Sequence, residues 1–194
     1  MSAHSPSRSA PGRRHPLLAL DIGGTNCRLI ACDDDGRPLA QKVYPSRDYA
    51  RFADVLKKFI GSTGHRFDVA CFGLPGPVIG GRARLTNLAW QVDATELAAE
   101  TGIERVILLN DLAANAYGIE TLKRDELATL NAGQPQAHGN VVVLAPGTGL
   151  GEAGLVYCGN TPVAIGTEGG HTDFGPTREL EIELLRYAMS LGKA

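Results

Sequence analysis

Apolar and polar positions follow two rhythms along this chain, and the changes between them mark its elements. Leu17 to Asp21 is a short apolar run broken by Gly23-Gly24, and Cys27 to Cys32 is a second, closed by Asp33-Asp34-Asp35-Gly36. Glycine and aspartate clusters are turn formers, so two strands joined by a glycine turn are predicted. Leu39 to Tyr44 follows as a third strand, and three strands in succession suggest an antiparallel meander. From Tyr49 to Ile60 the rhythm changes. Phe52, Val55, Leu56, Phe59 and Ile60 recur at the spacing of an amphipathic helix, which Gly61 and Gly64 are expected to stop.

Val69 to Gly73 reads as a fourth strand, and Pro75-Gly76-Pro77 with Gly80-Gly81 after it predicts a loop without regular structure. Asp93 and Thr95 can start a helix that runs through Glu100. Arg105 to Leu109 is a continuous β-branched and leucine run, the pattern of a strand buried on both faces, and it ends at Asn110-Asp111. Ala113 to Leu122 is predicted helical, and Asn131, Gly133, Gln134 and Pro135 then mark a surface connection. Beyond a boundary expected near residue 121 the opening pattern returns, as Val141 to Leu144, a Gly147-Thr148-Gly149-Leu150-Gly151 turn, and Ala153 to Tyr157. Glu179 to Leu191, with Leu180, Ile182, Leu184, Leu185, Ala188, Met189 and Leu191, is predicted to be a largely buried helix. The domain reading is a tail over 1–16, a small α/β domain over 17–121, and the first part of a larger α/β domain over 122–194.

Composition narrows the class of partner. The 194 residues are 43% apolar, enough for a real core, and 19 basic against 21 acidic side chains leave a net charge of −2. That balance builds no positive field for nucleic acid or an anionic membrane, so a small-molecule partner is expected. Cys27, Cys32, Cys71 and Cys158 lack metal or redox spacing and read as buried thiols of a reducing compartment. Met1 to Pro16 is rich in Ser, Pro, Arg and His, with too little apolar content to order itself. Arg13-Arg14 precedes an apolar run too short for an export signal, and no stretch reaches the length of a membrane span. A soluble, cytoplasmic protein is expected.

Five short motifs could carry chemistry. Asp21-Ile22-Gly23-Gly24-Thr25-Asn26 joins a carboxylate at a strand end to a glycine turn. Such a turn can expose backbone N–H groups to phosphate oxygens while Asp21 holds Mg2+ through its water shell. The alternative is a hairpin turn whose glycines supply positive φ. Gly147, Thr148 and Gly149 open a second such turn, also between strands, and two turns together favour a nucleotide clamp. Asn110-Asp111 ends a strand where open α/β sheets place ligand-binding groups. A carboxylate there can accept a proton from an attacking hydroxyl, or can simply cap the helix that follows. Glu168-Gly169-Gly170-His171 offers a carboxylate and an imidazole to vicinal sugar hydroxyls, or is a plain surface loop. Thr86-Asn87 adds a polyol donor and acceptor, with Trp90 as packing nearby.

In this order the five motifs resemble the bacterial glucokinase family, within the hexokinase and actin-like ATPase superfamily, over a span from about Leu17 to the last residue. The resemblance implies an α/β, ribonuclease H-like (actin-like ATPase) two-domain architecture, here an N-terminal domain plus an incomplete second domain around a cleft. Glucose would lie at the bottom of the cleft and ATP near its mouth. It implies Asp111 as the general base, and Asn87, Asn110, Glu168 and His171 as ligands of the sugar. It gives Asp21 a Mg2+ site and makes Gly23, Gly24, Thr25, Asn26, Gly147, Thr148 and Gly149 the phosphate contacts. Family members continue well past the last helix, with a second sugar-binding glutamate and an adenosine segment, so a truncated product of doubtful activity alone is expected. The apolar surface left open invites a homodimer.

Two rivals stay open. The ROK sugar kinases share an Asp-x-Gly-Gly-Thr start and a Glu-x-Gly-His segment, but carry a cysteine-rich Zn motif soon after that histidine, whereas no cysteine follows Cys158. A non-catalytic sugar-binding protein or fragment is the other. Both turns are generic to phosphates, so ATP against polyphosphate as donor also stays open.

Overall fold

The computed structural model describes residues 15–85, 88–134, 136, 139–147 and 149–192. Residues 1–14 of the tail expected over 1–16, the Thr86-Asn87 pair, Pro135 and Thr148 lie outside the described residues.

Two larger sheets with a helix between them, and a third small sheet, make up the α/β fold. The first has five strands in the order β3-β2-β1-β4-β8. β1 (Leu17–Ile22), β2 (Asn26–Cys32) and β3 (Pro38–Pro45) form the predicted antiparallel meander, and β4 (Val69–Leu74) and β8 (Arg105–Asn110) extend it in parallel with β1. Alternation along β1 and β2 turns Leu18, Leu20, Ile22, Cys27, Leu29 and Ala31 to one face, where they are buried. α1 (Phe52–Thr63) covers that face with Phe52, Val55, Leu56 and Phe59, and α2 (Ala94–Thr101) adds Leu97. Asp93 caps α2 as predicted, its Oδ1 accepting the Thr95 and Glu96 N–H groups at 2.8 and 3.2 Å.

Several expectations need correction. Gly61 does not stop α1. It sits inside the helix, and the left-handed Gly64 three residues later ends it, where the chain needs positive φ. The segment read as loop holds a small antiparallel sheet of β5 (Val78–Ile79), β6 (Arg82–Arg84) and β7 (Gln91–Asp93). Gly80 and Gly81, at φ 58° and 75°, are the two-residue turn joining β5 to β6, a turn type that needs positive φ at both positions. Glycine there makes a tight hairpin, not an absence of structure. β8 is not fully buried on both faces, since only Leu108 is buried and its neighbours are half-exposed. Of the four thiols, all free, Cys27 is buried and Cys32 and Cys71 are half-buried, but Cys158 is exposed at the end of a strand.

The second sheet has the order β11-β10-β9, from β9 (Val141–Pro146), β10 (Leu150–Cys158) and β11 (Thr161–Thr167), paired antiparallel throughout. β11 was not anticipated. α3 (Asp111–Ile119) lies between the sheets, against β4 and β8 on one side and β9, β10 and β11 on the other. Its Ala116 joins Ala153 and Leu155 in a second, smaller core, with Leu112, Val141, Val143 and Ala164 half-buried around them. α4 (Glu179–Ser190) departs most from expectation: it buries no residue, and Leu180, Leu184, Tyr187 and Met189 face solvent. Its apolar pattern is real, but Ile182, Leu185 and Ala188 on that face are no more than half-buried. None of the described helices is long and apolar enough to cross a membrane.

Candidate active site

Three of the predicted motifs, those of Asp21, Asn110-Asp111 and Glu168, approach the N-terminus of α3, and glycines let them do so. β4 lies between β1 and β8, with Asp21 in register with Gly73, and Gly73 with Leu109. Residues in register share a face, so Asp21 and Gly73 point to the side on which α3 packs. A Cβ on Gly73 would meet Ala114 at 3.6 Å and the Asp111 Cα at 3.7 Å, which shows how closely the helix seats against this strand. From the second sheet, a Cβ on Gly151 would fall 2.9 Å from Leu112, and one on Gly166 2.8 Å from the Asn110 Oδ1. Both lie below real contact distances, so bare glycine backbone is what brings β10 and β11 against the first turn of α3.

The helix cap is Asn110, not Asp111. Its Oδ1 accepts the Ala113 N–H at 3.1 Å and its Nδ2 donates to the Gly76 carbonyl at 3.2 Å, which ties the Pro75–Pro77 segment to the helix start. Asn110 retains one donor and one acceptor for a ligand. Asp111 is thereby released from capping. Its Oδ1 accepts the Leu112 N–H at 2.9 Å, and it is half-buried. Burial raises its pKa above the ordinary aspartate value, the Leu112 hydrogen bond opposes this, and the charges of Asp21 and Glu168 push it further up. Charges from the end of β1 and from the segment after β11 thus both reach one carboxylate at the start of α3.

The Glu168-Gly169-Gly170-His171 segment forms a single 3-10 turn over Gly169–His171, in which the His171 N–H donates to the Glu168 carbonyl at 3.0 Å. A Cβ on Gly170 would lie 1.9 Å from the Leu150 carbonyl oxygen, so backbone contact with β10 demands this glycine, while one on Gly169 would lie 2.1 Å from the Glu152 Oε2, the end of a side chain that can move aside. Glu168 and His171 are exposed, their Oε2 and Nε2 3.9 Å apart. The same contact sets the motif beside the Gly147 turn, which closes through the Gly147 N–H and the Gly149 carbonyl at 2.8 Å. The first turn is tight in the same way, the Gly23 N–H donating to the Asn26 carbonyl at 2.8 Å. Asp21, Thr25 and Asn26 are exposed along it, and Gly23 and Gly24 are half-buried. Gly23 is not in the left-handed region. A Cβ there would crowd the Asn26 carbonyl at 3.1 Å, so tightness and not φ accounts for this glycine.

A cavity of about 280 Å³ opens between the two sheets, walled by Pro77, Val78, Asn110, Gly166, Thr167 and Glu168 among others. Larger hollows, of about 620 Å³ on the outer side of the small sheet and about 640 Å³ beside α4, hold none of the residues expected in the site. Convergence of polar groups is the better guide to a site than size alone. Asp111 borders this region without being among the cavity's walls. Asn87 and Thr148, two further expected contacts, lie outside the described residues. Trp90 is buried, and its Nε1 donates to the Tyr49 carbonyl at 3.2 Å, which makes it core packing. Two contributors carried no sequence signal: Gly166, which seats Asn110, and Ser46, beneath the first turn. Thr167, whose Oγ1 accepts the Gly169 N–H at 3.2 Å, adjoins a motif that was read. Among the described residues no three His, Cys, Asp or Glu side chains gather as a metal site.

Comparison with known proteins identifies the family. The family model described as Glucokinase covers residues 18–192. The glucokinase of Nostoc punctiforme is 37% identical over 178 residues, which are 89% of this chain and 52% of that protein. The crystal structure of a glucokinase from an Antarctic psychrotroph superposes with a TM-score of 0.79 at 27% identity, over 92% of this chain and 58% of that one. A glucokinase from Balamuthia mandrillaris, solved in complex with glucose, shares the fold with a TM-score of 0.68 at 23% identity, over 89% of this chain and 53% of that one. The chain thus spans about half the length of the relatives it matches. With the family pattern running from β1 into α4, and the fold of solved glucokinases reproduced over nine-tenths of the chain, this protein belongs to the glucokinase family.

Proposed function

We propose that the chain carries the sugar-facing and base-bearing part of an enzyme that transfers the γ-phosphoryl group of ATP to the 6-hydroxyl of glucose. The observation that carries the reading is the meeting of Asp21, Glu168 and Asp111 around the start of α3, beside a cavity that Asn110 and Glu168 help to wall. Asp111 takes the proton from the 6-hydroxyl as its oxygen bonds to the γ-phosphorus and the bond to the ADP oxygen breaks. A carboxylate with a raised pKa suits that task, being a stronger base than an ordinary aspartate. Asn87, Asn110, Glu168 and His171 hold the sugar hydroxyls. The turns at Gly23–Asn26 and Gly147–Gly149, with Thr148, hold phosphate oxygens through backbone N–H groups.

Mg2+ carried by a nucleotide needs only one or two protein carboxylates, and the single exposed Asp21 fits that requirement through a water shell. When bound, the ion neutralises charge on the phosphates. A cytoplasmic setting and self-association through open apolar surface belong to the same proposal, supported by four free cysteines and by the solvent-facing Leu180, Leu184 and Tyr187.

The test is a coupled assay of glucose 6-phosphate formation by a form of the chain extended to the length of its relatives. Asp111→Asn is expected to lower turnover by about 10²- to 10⁴-fold, the usual contribution of a general base, with glucose binding largely kept. Undiminished turnover in that variant rejects the base assignment. On the 194-residue chain, calorimetric titration with glucose before and after Glu168→Ala tests the sugar contact separately, and equal affinity in both rejects it.

A further inference from the structure

Among the described residues Ser46 is the buried polar one, fully enclosed beneath the β1–β2 turn. It follows β3 and opens a single 3-10 turn, Ser46–Asp48. Its Oγ donates to the Gly23 carbonyl at 2.9 Å and its backbone N–H donates to the Thr25 carbonyl at 2.9 Å. Ser46 has one hydroxyl proton, and Gly23 accepts it. The Cys27 Sγ, 3.3 Å from the same oxygen, is therefore the donor in their contact. Burial pushes the Cys27 thiol up, which keeps the proton that this requires.

The consequence bears on what the turn offers to an anion. A peptide carbonyl turned toward a phosphate repels it, while an N–H attracts it. In this turn the Gly23 and Thr25 carbonyls are both drawn onto Ser46, and the Asn26 carbonyl accepts the Gly23 N–H. Each already has a donor within the protein, two of them from Ser46, which holds them from turning toward a bound phosphate. We propose that Ser46 is a positioning residue for the phosphoryl donor: it fixes the carbonyls of the β1–β2 turn from beneath, so that the turn meets phosphate already in its binding shape. The inference rests on the reading of this turn as a phosphate contact.

The experiment uses the 194-residue chain, with Ser46→Ala, Ser46→Thr and Val55→Ala compared with the parent. Val55 is on the buried face of α1, within the core, so its truncation lowers stability without removing a hydrogen bond from the turn. Two quantities are read, the amide exchange rate at Gly23 and the dissociation constant for Mg-ATP by calorimetry. Ser46→Ala is expected to raise Gly23 exchange by about tenfold beyond any change at Leu18 and Leu20, the loss of one buried hydrogen bond, and to weaken Mg-ATP binding by a similar factor. Val55→Ala should leave both at parent values after correction for global stability, and Ser46→Thr, which keeps the hydroxyl, should restore both.

A Gly23 rate that rises only in step with the core amides would overturn the proposal, because Ser46 would then be ordinary packing. So would equal Mg-ATP affinity in parent and Ser46→Ala despite faster exchange. If the parent fails to bind Mg-ATP at millimolar concentration, the phosphate reading of the turn falls and the positioning role with it. The Gly23 rate would still report whether Ser46 holds the turn, so the two failures are distinguishable. If Ser46→Ala does not fold, Ser46→Thr and Cys27→Ala carry the comparison. Cys27→Ala removes the thiol but neither bond from Ser46 to the turn, and is expected to leave Gly23 exchange and Mg-ATP affinity unchanged; tenfold weaker binding in it would overturn the assignment to Ser46.

Discussion

The five-stranded and three-stranded sheets are built from strands of similar apolar content, yet they are enclosed very differently. The first has α1 and α2 across one face and α3 against part of the other, and its core runs without a break from Leu18 to Leu108. The second has α3 on one face, with Ala116, Ala153 and Leu155 as its buried residues. On its outer face Val142, Leu144, Leu150, Val163 and Ile165 are exposed. A sheet apolar on both faces needs two covering layers to bury what it carries. One layer leaves it dependent on a neighbour. The two regions also differ in how charge ties them together. Glu100 on α2 bridges to Arg51 and Lys57 at 2.8 and 2.6 Å and so joins α1 to α2, whereas around α4 the pairs Arg178–Glu181 and Arg186–Glu179 lie within the same short stretch of chain. Stability should therefore be concentrated in the first region, while the Glu168 to His171 motif proposed to face the sugar belongs to the second.

Core truncations give the largest expected break in that comparison. Phe72 is fully buried and packs edge-on to Phe52 with ring centroids 5.4 Å apart. Phe72→Ala should lower the stability of the first region by about 3–5 kcal/mol. The single tryptophan, Trp90, lies in that core and reports it alone by fluorescence during urea unfolding. Leu155→Ala, equally buried, should accelerate hydrogen exchange in β9 and β10 and barely move the Trp90 midpoint. Equal midpoint shifts from the two variants would mean that both sheets unfold as one unit, and the contrast would fail.

A smaller and more local effect is expected at Gly170, where a Cβ would sit 1.9 Å from the Leu150 carbonyl oxygen. Backbone and not a flexible side chain is in the way, so Gly170→Ala must displace the Glu168 to His171 turn from β10. If the motif holds glucose as proposed, glucose affinity should drop by about tenfold, roughly 1.4 kcal/mol, while the Trp90 unfolding midpoint stays where it was. A variant that binds glucose as the parent does would separate the steric demand of this glycine from the function of the motif.

Much of this contrast could be read from residues, and the unread part has identifiable causes. The β1–β3 meander and the Asp93 cap were legible because alternation and capping are local signals. β5, β6 and β7 were not, because strands of two or three residues cannot show a period and their joining Gly80-Gly81 looked like disorder of structure. α4 was legible as an amphipathic helix but not as an exposed one, since a pattern tells which face is apolar and not what stands opposite. Within the site, Asp111 and Glu168 were visible as chemistry. The choice of Asn110 over Asp111 as cap was not, because either side chain can cap and the decision depends on Gly76 and Gly166, distant in sequence.

The α1–α2 tie gives the smallest effect and the finest test of where stability resides. Glu100 accepts both Arg51 Nη1 and Nη2, at 3.1 and 2.8 Å, with Lys57 added, and these partners hold its carboxyl down from 4.5 to about 2. A depressed folded-state value means the contribution is complete above the ordinary carboxylate pKa and drains as pH falls toward about 2. Glu100→Gln removes that dependence. Its Trp90-monitored stability should therefore fall less steeply than the parent's between pH 4.5 and about 2. Because Arg51 and Lys57 are about half exposed, the difference should shrink in high salt. Hydrogen exchange in β10 should follow the same course in both proteins, since Glu100 ties only the first region. If β10 loses protection in step with Trp90 as Glu100 titrates, the two sheets share one unfolding transition, and the separate stabilities inferred from their unequal cores must be given up.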